Sequence, residues 1–445
     1  MARKTGGLRE FVEYLDQLKE LQRIYTTVDS RYEAAAILSK MNYEKAPAVL
    51  FEKIRGYSMP VVGNLLGSAK RLALALGIHE EELYQGLLPN RERRIDPVLL
   101  DEKQDRRIIP ADGAFDIQDH LPILTHYAKD SAPFITCGTA SAREPETGGM
   151  RRGLHRLEVR GKAELGISLV HPPLTGIYAT HRKAGTPMEI AVAVGVDPTV
   201  LIATVIKAPG DMDKLAVAGG LSGESVPLIK ASTVDVDIPA RAEIVIEGYI
   251  DPTQGEKDGT LGEISGYYLA FSSPSIHITA ITLRKRPLFQ ALLPQSFEAD
   301  HLLTFIHRLN VIPKMKLMFP SLQDFCFIPG TFGSHAAMSI KGDNHGEIRS
   351  ALTMALSFAN IKKATIVNAD VNPRNILEVE WAMATRFQAD RDLIVIPSLG
   401  GQVIDPSSDS KFRTAKVGID ATRPHQHGFE KISFPKSAFG TDIHH

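Results

Sequence analysis

The sequence predicts a multidomain α/β protein in which a β-rich central segment separates two segments that alternate helices and strands. The chain has 445 residues, more than one ordinary hydrophobic core accommodates, so two or three packed units are expected. Its hydrophobic content of 43% and charged content of 23% are typical of a folded globular protein. Hydrophobic spacing also changes along the chain, since it is helical near both ends and strand-like in the middle.

The first segment, residues 1–110, reads as an α/β unit. Apolar residues at helical spacing predict two helices, and two short apolar runs predict buried strands. These elements are Leu8–Leu21, Glu33–Met41, Ala48–Phe51 and Pro60–Val62. Ser68 is placed to cap the start of a further helix that ends at Leu76, with Gly77 just beyond its end. Pro110, with aspartate and glycine nearby, marks the predicted boundary.

The middle segment, residues 111–300, contains short β-rich runs separated by Gly, Pro, Asp and Ser. The predicted strands are Leu157–Val159, Leu165–Val170, Ile190–Val194, Ile244–Ile250, His277–Leu283 and Phe289–Leu293. Helical turns are expected near residues 198–206 and 211–220. Closely spaced strands of this kind favour an antiparallel barrel or sandwich.

The last segment, residues 301–445, alternates helices and strands again. Its predicted elements are a helix over Glu347–Phe358, a strand over Ala364–Val367, a helix ending at Arg386 and a strand over Leu393–Ile396. Asn372 and Pro373 are suited to the N-cap and first position of that second helix. Strands joined by helices predict a parallel α/β unit.

Charge and cysteine content exclude several classes of protein. The formal net charge is -1 at pH 7, so no global basic field attracts nucleic acid or an anionic membrane. Cys137 and Cys326 are the two cysteines, and one distant pair builds neither a disulfide framework nor a zinc site. The N-terminus lacks a signal-peptide pattern, and no apolar run has membrane-spanning length. A cytoplasmic protein is therefore expected.

Generic catalytic motifs give little information here. The sequence contains no GxGxxG after a strand, no GxxxxGK[ST], no HExxH and no GxSxG. His425 and His427 could bind a metal, but a solvated loop is the better interpretation.

Four blocks of sequence carry more specific information. They are residues 8–24 with 47–78, residues 134–161, residues 259–268 with 277–283, and residues 364–408. The second reads FITCGTASAREPETGGMRRGLHRLEVRG, the third begins GTLGEISGYY, and the fourth begins ATIVNADVNPRNILEVEWAMATRF. In this order, over nearly the whole chain, the blocks resemble the UbiD family of prenylated-FMN-dependent decarboxylases.

The resemblance implies a fold and an activity. The fold has an N-terminal α/β unit associated with the cofactor, a central split β-barrel like that of flavin reductases, and a C-terminal α/β unit for oligomerisation and substrate binding. A C-terminal helix reaches a neighbouring copy in a homodimer or homohexamer. The activity is the reversible non-oxidative decarboxylation of an α,β-unsaturated, aromatic or heteroaromatic acid, which releases CO2. A flavin prenyltransferase supplies the cofactor.

The resemblance also places three catalytic residues. Arg156 lies in GLHRLEV, and Asp258 and Glu263 lie in DGTLGE. An arginine gives the substrate carboxylate a bidentate fork, and a neighbouring carboxylate orients that arginine. A second carboxylic acid delivers a proton to the carbon that loses CO2, while the flavin acts as the electron sink. Much of the family has Glu where this chain has Asp258.

The cofactor site departs from the family pattern. Family members commonly hold the flavin phosphate through a divalent metal, often Mn2+, with K+ nearby. The three ligand positions here are Arg151, His171 and Lys214, and arginine and lysine do not ligate a hard cation. Both are good phosphate binders, which suggests that Arg151 and Lys214 replace the metal. A misaligned loop is the alternative. The further flavin contacts are Thr136, Lys207 and Pro209.

Residues 294–308 and 326–338 are expected to line part of the substrate pocket. The polar candidates there are His301, His307, Arg308 and His335. Such cations suit a substrate with a second anionic group, either a dicarboxylate of the furan-2,5-dicarboxylate type or a phosphorylated acid. The alternative is that these residues face solvent or cap helices. A flavin-binding protein or a flavin oxidoreductase on the same barrel is the competing function.

Overall fold

The computed structural model describes residues 6–43, 46–85, 93–101, 106–170, 172–206, 212–424 and residue 432. Contacts divide the chain into two compact units. The first comprises residues 1–313, 329–333 and 402–412, and the second comprises residues 314–328, 334–401 and 413–445. The division into three domains at residues 110 and 300 stays a prediction.

Helices and strands are numbered in chain order over these described residues. The helices are α1 Leu8–Gln17, α2 Glu33–Lys40, α3 Ala69–Leu76, α4 Glu80–Tyr84, α5 Ile117–His120, α6 Leu174–Ala184, α7 Pro198–Val205, α8 Lys214–Ser222, α9 Phe297–Met318, α10 His345–Ser357 and α11 Ile376–Arg386. The first twelve strands are β1 Leu21–Ile24, β2 Ala48–Phe51, β3 Val61–Gly63, β4 Val98–Leu99, β5 Arg106–Pro110, β6 Phe134–Arg143, β7 Met150–Gly161, β8 Glu164–Ile167, β9 Met188–Val194, β10 Pro227–Lys230, β11 Asp237–Pro239 and β12 Ile244–Ile250. The remaining strands are β13 Lys257–Gly262, β14 Tyr268–Ser273, β15 Ser275–Arg284, β16 Phe289–Gln290, β17 Leu322–Phe327, β18 His335–Ile340, β19 Lys363–Asn368, β20 Leu393–Gly400 and β21 Arg413–Asp420.

The N-terminal part forms a four-stranded sheet in the order β1-β2-β3-β16. The helix predicted over Leu8–Leu21 ends at Gln17, because Leu21 begins strand β1, which was not predicted. The helix α3 is capped as expected. The Ser68 side chain accepts a hydrogen bond from the backbone N–H of Arg71, and Gly77 adopts the left-handed conformation with φ 67°. The strand at Phe289 was predicted for the central segment but pairs in parallel with β3, because its short apolar run does not specify a sheet.

The central part is a closed antiparallel barrel. Its strands follow the order β12-β9-β6-β7-β8-β15, and β12 pairs with β15 to close the ring. Alternate residues point inward and build an apolar core that includes Leu157, Val192 and Ile246. This confirms the predicted barrel. The helices α7 and α8 lie between β9 and β12 in sequence and pack against each other.

A two-stranded hairpin, β13–β14, is the element that completes the central part. Gly259 pairs with Phe271 and Gly262 with Tyr268 across it. Arg160 on β7 anchors the hairpin, because its guanidinium donates to the carbonyl oxygens of Lys257 and Ser273 at 2.8 and 2.9 Å. The hairpin therefore lies against the outward-facing side of β7.

The second unit contains a mixed five-stranded sheet in the order β17-β18-β19-β21-β20. The pairs β18–β19 and β19–β21 are parallel, as predicted for an α/β unit. The strand β20 runs antiparallel to β21 at the sheet edge, so the predicted purely parallel arrangement is wrong there. The apolar run at Leu393 carried no information about strand direction.

The predicted start of the helix near Asn372 is also wrong. That helix, α11, begins at Ile376, and its N-cap is Asn375, whose side chain accepts from the N–H of Leu377. Asn372 instead accepts from the N–H of Arg374 and forms a preceding turn. The long helix α9 was not predicted. The expected C-terminal helix and His425–His427 lie outside the described residues. No described helix is long and apolar enough to cross a membrane.

Candidate active site

Glu263 is positioned by the turn that closes the β13–β14 hairpin. It directly follows β13, and its N–H donates to the carbonyl oxygen of Tyr267 at 2.9 Å. Gly266 donates its N–H to the carbonyl oxygen of Glu263 at 2.9 Å and adopts a φ of 81°. This left-handed position favours glycine, so the turn fixes the backbone from which the Glu263 carboxylate projects.

Arg156 reaches the same carboxylate from the barrel. Its guanidinium forms an ion pair with Glu263, and both side chains are largely buried. The guanidinium carbon also lies 4.9 Å from the centre of the Phe271 ring on β14, within cation–π range. Burial lowers the pKa of Arg156 to about 10, against the opposing effect of the Glu158 and Asp130 charges. The guanidinium stays charged at neutral pH.

A β-bulge lies opposite Arg156. The pairing of β6 with β7 joins Ile135 to Leu157 and then Gly138 to His155, so Thr136 and Cys137 together face Arg156. Bulges of this kind re-aim side chains and are frequent beside active sites. The Thr136 hydroxyl is thereby turned to accept from the N–H of Leu292 at 3.2 Å. Cys137 is buried without a disulfide partner, and burial raises the pKa of its thiol.

A recess open to solvent, with a volume of about 220 Å³, lies beside Arg156. Its lining residues come from the barrel and from the hairpin, and they are Phe134, Arg156, Glu158, Gly166, Ser168, Gly259, Phe271 and Ser273. Two aromatic rings, one arginine and one carboxylate therefore share a recess. Asp258 lies on β13 beside this recess, paired with Ser272; its side chain is outside what the structure describes.

Two of the predicted phosphate-binding residues, Arg151 and Lys214, lie among the described residues. Arg151 lies on β7, is 5% exposed, and its Nε is 4.0 Å from Glu144 Oε2. Lys214 begins α8, and its ammonium donates to the carbonyl oxygen of Thr204. Burial lowers the pKa of Lys214 to about 8. His171, Lys207 and Pro209 lie outside the described residues.

An ion pair joins strand β7, which carries Arg151, to the start of helix α8, which carries Lys214. Arg152, adjacent to Arg151, donates from Nε and Nη2 to the two carboxylate oxygens of Asp213 at 3.0 and 3.2 Å. Asp213 is also the N-cap of α8 and immediately precedes Lys214. No group of three or more His, Cys, Asp or Glu side chains able to hold a metal occurs among the described residues.

The helix α9 carries three of the four predicted pocket residues. His301 is 5% exposed, and neither ring nitrogen has a hydrogen-bond partner. Burial, together with the charges of Arg308 and Arg71, lowers its pKa to about 3. Arg308 is 5% exposed and lies 5.5 Å from the centre of the Tyr84 ring. His307 is half-buried.

The fourth predicted pocket residue is a histidine on a strand of the second unit. His335 belongs to β18 in the second unit, where its Nε2 is 3.4 Å from Thr365 Oγ1. Burial and the charge of Lys363 lower its pKa to about 4. These contacts hold the histidine within the C-terminal sheet.

Several residues of the site were missed at the sequence level. Asp130, Glu158 and Phe271 surround Arg156, although no short motif marks them. Alternation along β7 was the one available signal, because Arg156, Glu158 and Arg160 occupy every second position of a strand and must share a face. Asp130 is distant in sequence, and only tertiary structure brings it here.

Three family models match the chain in order. They describe the N-terminal, Rift-related and C-terminal domains of 3-octaprenyl-4-hydroxybenzoate carboxy-lyase and match residues 12–89, 101–297 and 300–421. A protein of Methanosarcina mazei named anhydromevalonate phosphate decarboxylase is 31% identical over 96% of this chain and 99% of its own length. A protein of the same name from Methanothermobacter thermautotrophicus is 28% identical over 92% and 96%.

A solved structure agrees with these matches. The UbiD-class enzyme HmfF from Pelotomaculum thermopropionicum, in complex with FMN, superposes with a TM-score of 0.90 at 34% identity, covering 97% of this chain and 98% of that chain. These matches, with the closed antiparallel barrel and the Arg156–Glu263 pair, identify a carboxy-lyase. The chain belongs to the UbiD family.

Proposed function

We propose that the protein catalyses the reversible non-oxidative decarboxylation of an unsaturated carboxylic acid that carries a phosphate group, using prenylated FMN. The observation that carries this proposal is the ion pair between Arg156 and Glu263 at the recess between barrel and hairpin. It supplies a fixed cation for a carboxylate and a carboxyl group able to hold a proton at the same place.

The residues around the recess fit a flavin. The rings of Phe134 and Phe271 offer apolar walls, and Thr136 lies on the adjoining strand at the bulge. Bound there, prenylated FMN supplies an electron sink for the electron pair released with CO2. A flavin prenyltransferase is the expected source of the cofactor.

Arg156 is proposed to orient the substrate, and Glu263 is proposed to transfer the proton. The guanidinium of Arg156 orients the substrate carboxylate through two parallel hydrogen bonds, and cation–π contact with Phe271 fixes its plane. When the substrate carboxylate replaces Glu263 as the partner of Arg156, Glu263 takes up a proton from solvent and transfers it to the carbon that has lost CO2. In the reverse direction, Glu263 removes that proton before carboxylation. Asp258, one strand position from the recess-lining Gly259, is proposed to orient Arg156.

Arg151 and Lys214 are proposed to bind the flavin phosphate in place of a metal ion. Arg151 is buried and Lys214 is half-buried, and the Arg152–Asp213 pair joins the strand that carries Arg151 to the start of the helix that carries Lys214. Metal analysis of the purified holoprotein tests this, with less than a tenth of an equivalent of manganese expected. The double variant Arg151→Met/Lys214→Met should release FMN on gel filtration. A stoichiometric manganese ion with FMN retained in that variant ends the idea.

The second anionic group of the substrate is assigned to His301 and Arg308. His301 is buried with both ring nitrogens unpaired, and Arg308 and Arg71 create a positive field around it. A phosphate would pair with Arg308 and draw a proton onto His301. The two archaeal relatives, whose name specifies a phosphorylated acid, favour this choice over a furan dicarboxylate.

Hydrogen–deuterium exchange tests the proposed reaction. Holoenzyme from co-expression with a flavin prenyltransferase is incubated in D2O with phosphorylated, furan and aromatic acids, and exchange at the carbon that bore CO2 reports reversible decarboxylation. Glu263→Gln should abolish exchange while flavin remains bound. Glu13→Gln, an exposed change on α1, is the matched control. Full exchange in Glu263→Gln refutes the proton-donor role.

Substrate choice is tested with Arg308→Met. This variant should raise KM for the phosphorylated acid at least tenfold. The KM for any aromatic monocarboxylate that the wild type exchanges should stay unchanged. Hydrogen–deuterium exchange of furan-2,5-dicarboxylate by the wild-type holoenzyme, with no exchange of any phosphorylated acid, would instead identify a dicarboxylate substrate. Plain FMN with NADH turnover and no CO2 release would identify a flavin oxidoreductase. Light scattering of the holoprotein tests the proposed homodimer or homohexamer.

A further inference from the structure

We propose that Asp130 is a positioning residue that holds Glu263 against Arg156. The inference rests on the proposed function, because it concerns how the proton donor is placed. Asp130 lies in the segment His126–Ser131, which precedes β6 and has not been identified by any sequence motif. Its side chain is completely buried.

The Asp130 carboxylate connects this segment directly to the hairpin. Oδ2 accepts from the backbone N–H groups of His126 and Tyr127 at 3.1 and 2.8 Å, and Oδ1 accepts from the N–H of Gly262 at 3.0 Å. Gly262 immediately precedes Glu263. One carboxylate therefore fixes both its own loop and the last residue of β13.

Neighbouring contacts show that the segment clamps β13 along its length. Ser131 donates its N–H to the carbonyl oxygen of Thr260 at 2.9 Å, and the N–H of Thr260 donates back to the Ser131 hydroxyl at 3.0 Å. The ring of Tyr127 packs on Gly262, where an added Cβ would collide with it. The segment thus covers the edge of β13 that does not pair with β14.

The charged groups near Asp130 are one arginine and further carboxylates that share this arginine. Burial raises the pKa of Asp130, and its backbone hydrogen bonds and the charge of Arg156 oppose that effect. Asp130 and Glu158 in turn favour the charged form of Arg156. His126 Nδ1 lies 3.9 Å from Asp130 Oδ2, but burial keeps His126 neutral at pH 7. Arg156 therefore experiences three carboxylates, Glu263, Glu158 and Asp130, and of these Asp130 also holds the backbone beside Glu263.

Asp130→Asn tests the positioning role. Asparagine offers one acceptor oxygen where three N–H groups point, so either the Gly262 contact or the loop contact is lost. We expect kcat to fall roughly 10- to 100-fold with KM nearly unchanged, since small misplacements of a catalytic group have effects of that size. The solvent isotope effect on kcat should rise, because proton delivery by Glu263 becomes slower relative to the other steps.

A matched control separates this role from a structural one. Asp116 also accepts from a backbone N–H, that of Gln118 at 3.0 Å, as the N-cap of α5, and it is not among the residues that line the recess. Asp116→Asn should lower Tm slightly and leave kcat and the isotope effect unchanged. Hydrogen exchange followed by mass spectrometry should show faster exchange over residues 257–268 in Asp130→Asn alone.

The outcomes distinguish the inference from the proposed function. If Glu263→Gln retains activity, the proposed function fails. If Glu263→Gln is inactive while Asp130→Asn keeps wild-type kcat and isotope effect, the positioning role of Asp130 is wrong and the proposed function stands. Should Asp130→Asn not fold, Asp130→Glu keeps the charge, displaces the carboxylate by one methylene, and is judged by the same readouts.

Discussion

Arg152 and Asp213 form a two-point ion pair that joins strand β7 of the barrel to the N-terminus of α8, with distances of 3.0 and 3.2 Å. Arg152 is fully buried and also donates to the Ser141 hydroxyl and to the carbonyl oxygen of Asp237, both at 2.7 Å. The Asp213 carboxylate also caps the helix by accepting from the N–H of Leu215. One arginine thus connects the barrel, the helix and strand β11.

Removal of Arg152 should be severe. In Arg152→Ala, the Asp213 carboxylate loses its cation, and the Ser141 hydroxyl and the Asp237 carbonyl oxygen lose their donor. Breaking a buried pair costs about 3–5 kcal/mol. We expect a clear fall in the Tm of the holoprotein and loss of flavin, because Arg151 and Lys214 are adjacent in sequence to this pair. Arg143→Ala, a more exposed arginine whose Nε is 3.1 Å from Asp235, should cost less than about 1 kcal/mol. Equal effects of the two changes would contradict this account.

Arg156→Lys tests the need for a bidentate fork. Lysine keeps the positive charge but offers no planar pair of N–H groups. We expect kcat/KM for the phosphorylated acid to fall about 100-fold, with flavin absorbance unchanged. The measurement is CO2 release by reconstituted holoenzyme. Wild-type kcat/KM in the lysine variant would mean that charge alone suffices.

Gly259→Ala tests the fit of the hairpin on the barrel. An added Cβ at Gly259 would collide with the Glu158 carboxylate, which is held by Ser131 and Arg160. The hairpin is therefore expected to shift and carry Glu263 away from Arg156. We expect at least a tenfold loss of kcat together with a lower Tm. Gly255→Ala is the matched control, because nothing lies within 4 Å of its added Cβ. Unchanged kcat in Gly259→Ala would show that the hairpin tolerates the shift.

The buried histidine His126 predicts sensitivity to acid. Burial lowers its pKa from 6.5 to about 4, so the unfolded chain binds this proton more readily than the folded one. Keeping His126 neutral therefore costs no stability above pH 6.5. As the pH falls from 6.5 towards 4, the free energy of unfolding decreases by roughly 3 kcal/mol on account of this group. The variant His126→Phe should show a shallower fall of Tm over that interval. His79→Phe, at an exposed site, should retain the wild-type slope.

Local chemistry allowed parts of the fold to be predicted accurately. Ser68 and Gly77 marked both ends of α3 because a hydroxyl N-cap and a left-handed glycine each satisfy a local requirement. The strand Ile244–Ile250 was found with its observed bounds, since a run rich in β-branched and aromatic residues between turn residues favours a strand.

Elements with competing local solutions were not predictable to the same degree. Asn372 and Asn375 are both competent N-caps, and the helix begins after the second. Burial of the helix decides between such sites, and it is a property of the whole unit. The direction of β20 similarly depends on its partner β21, which follows in sequence after an intervening loop.

The candidate site shows the same division. Sequence resemblance assigned Arg156 and Glu263 roles, but it gave no indication that Asp130 supports the backbone beside Glu263. Asp130 and Gly262 are distant in sequence, and a hydrogen bond between them carries no periodic or compositional signal. The unpaired ring of His301 was likewise invisible, because burial depends on every element packed around it.

The sequence by itself determined the type of many elements and both caps of α3, because these follow from side-chain chemistry and near-neighbour spacing. Its resemblance to a family supplied the residues suited to carboxylate binding and proton transfer. Only the tertiary structure decided that the hairpin lies over β7, that Arg156 meets Glu263, and that Asp130 and Asp213 each join separate segments. Those relationships depend on which surfaces can be buried together, and burial is settled by the folded chain as a whole.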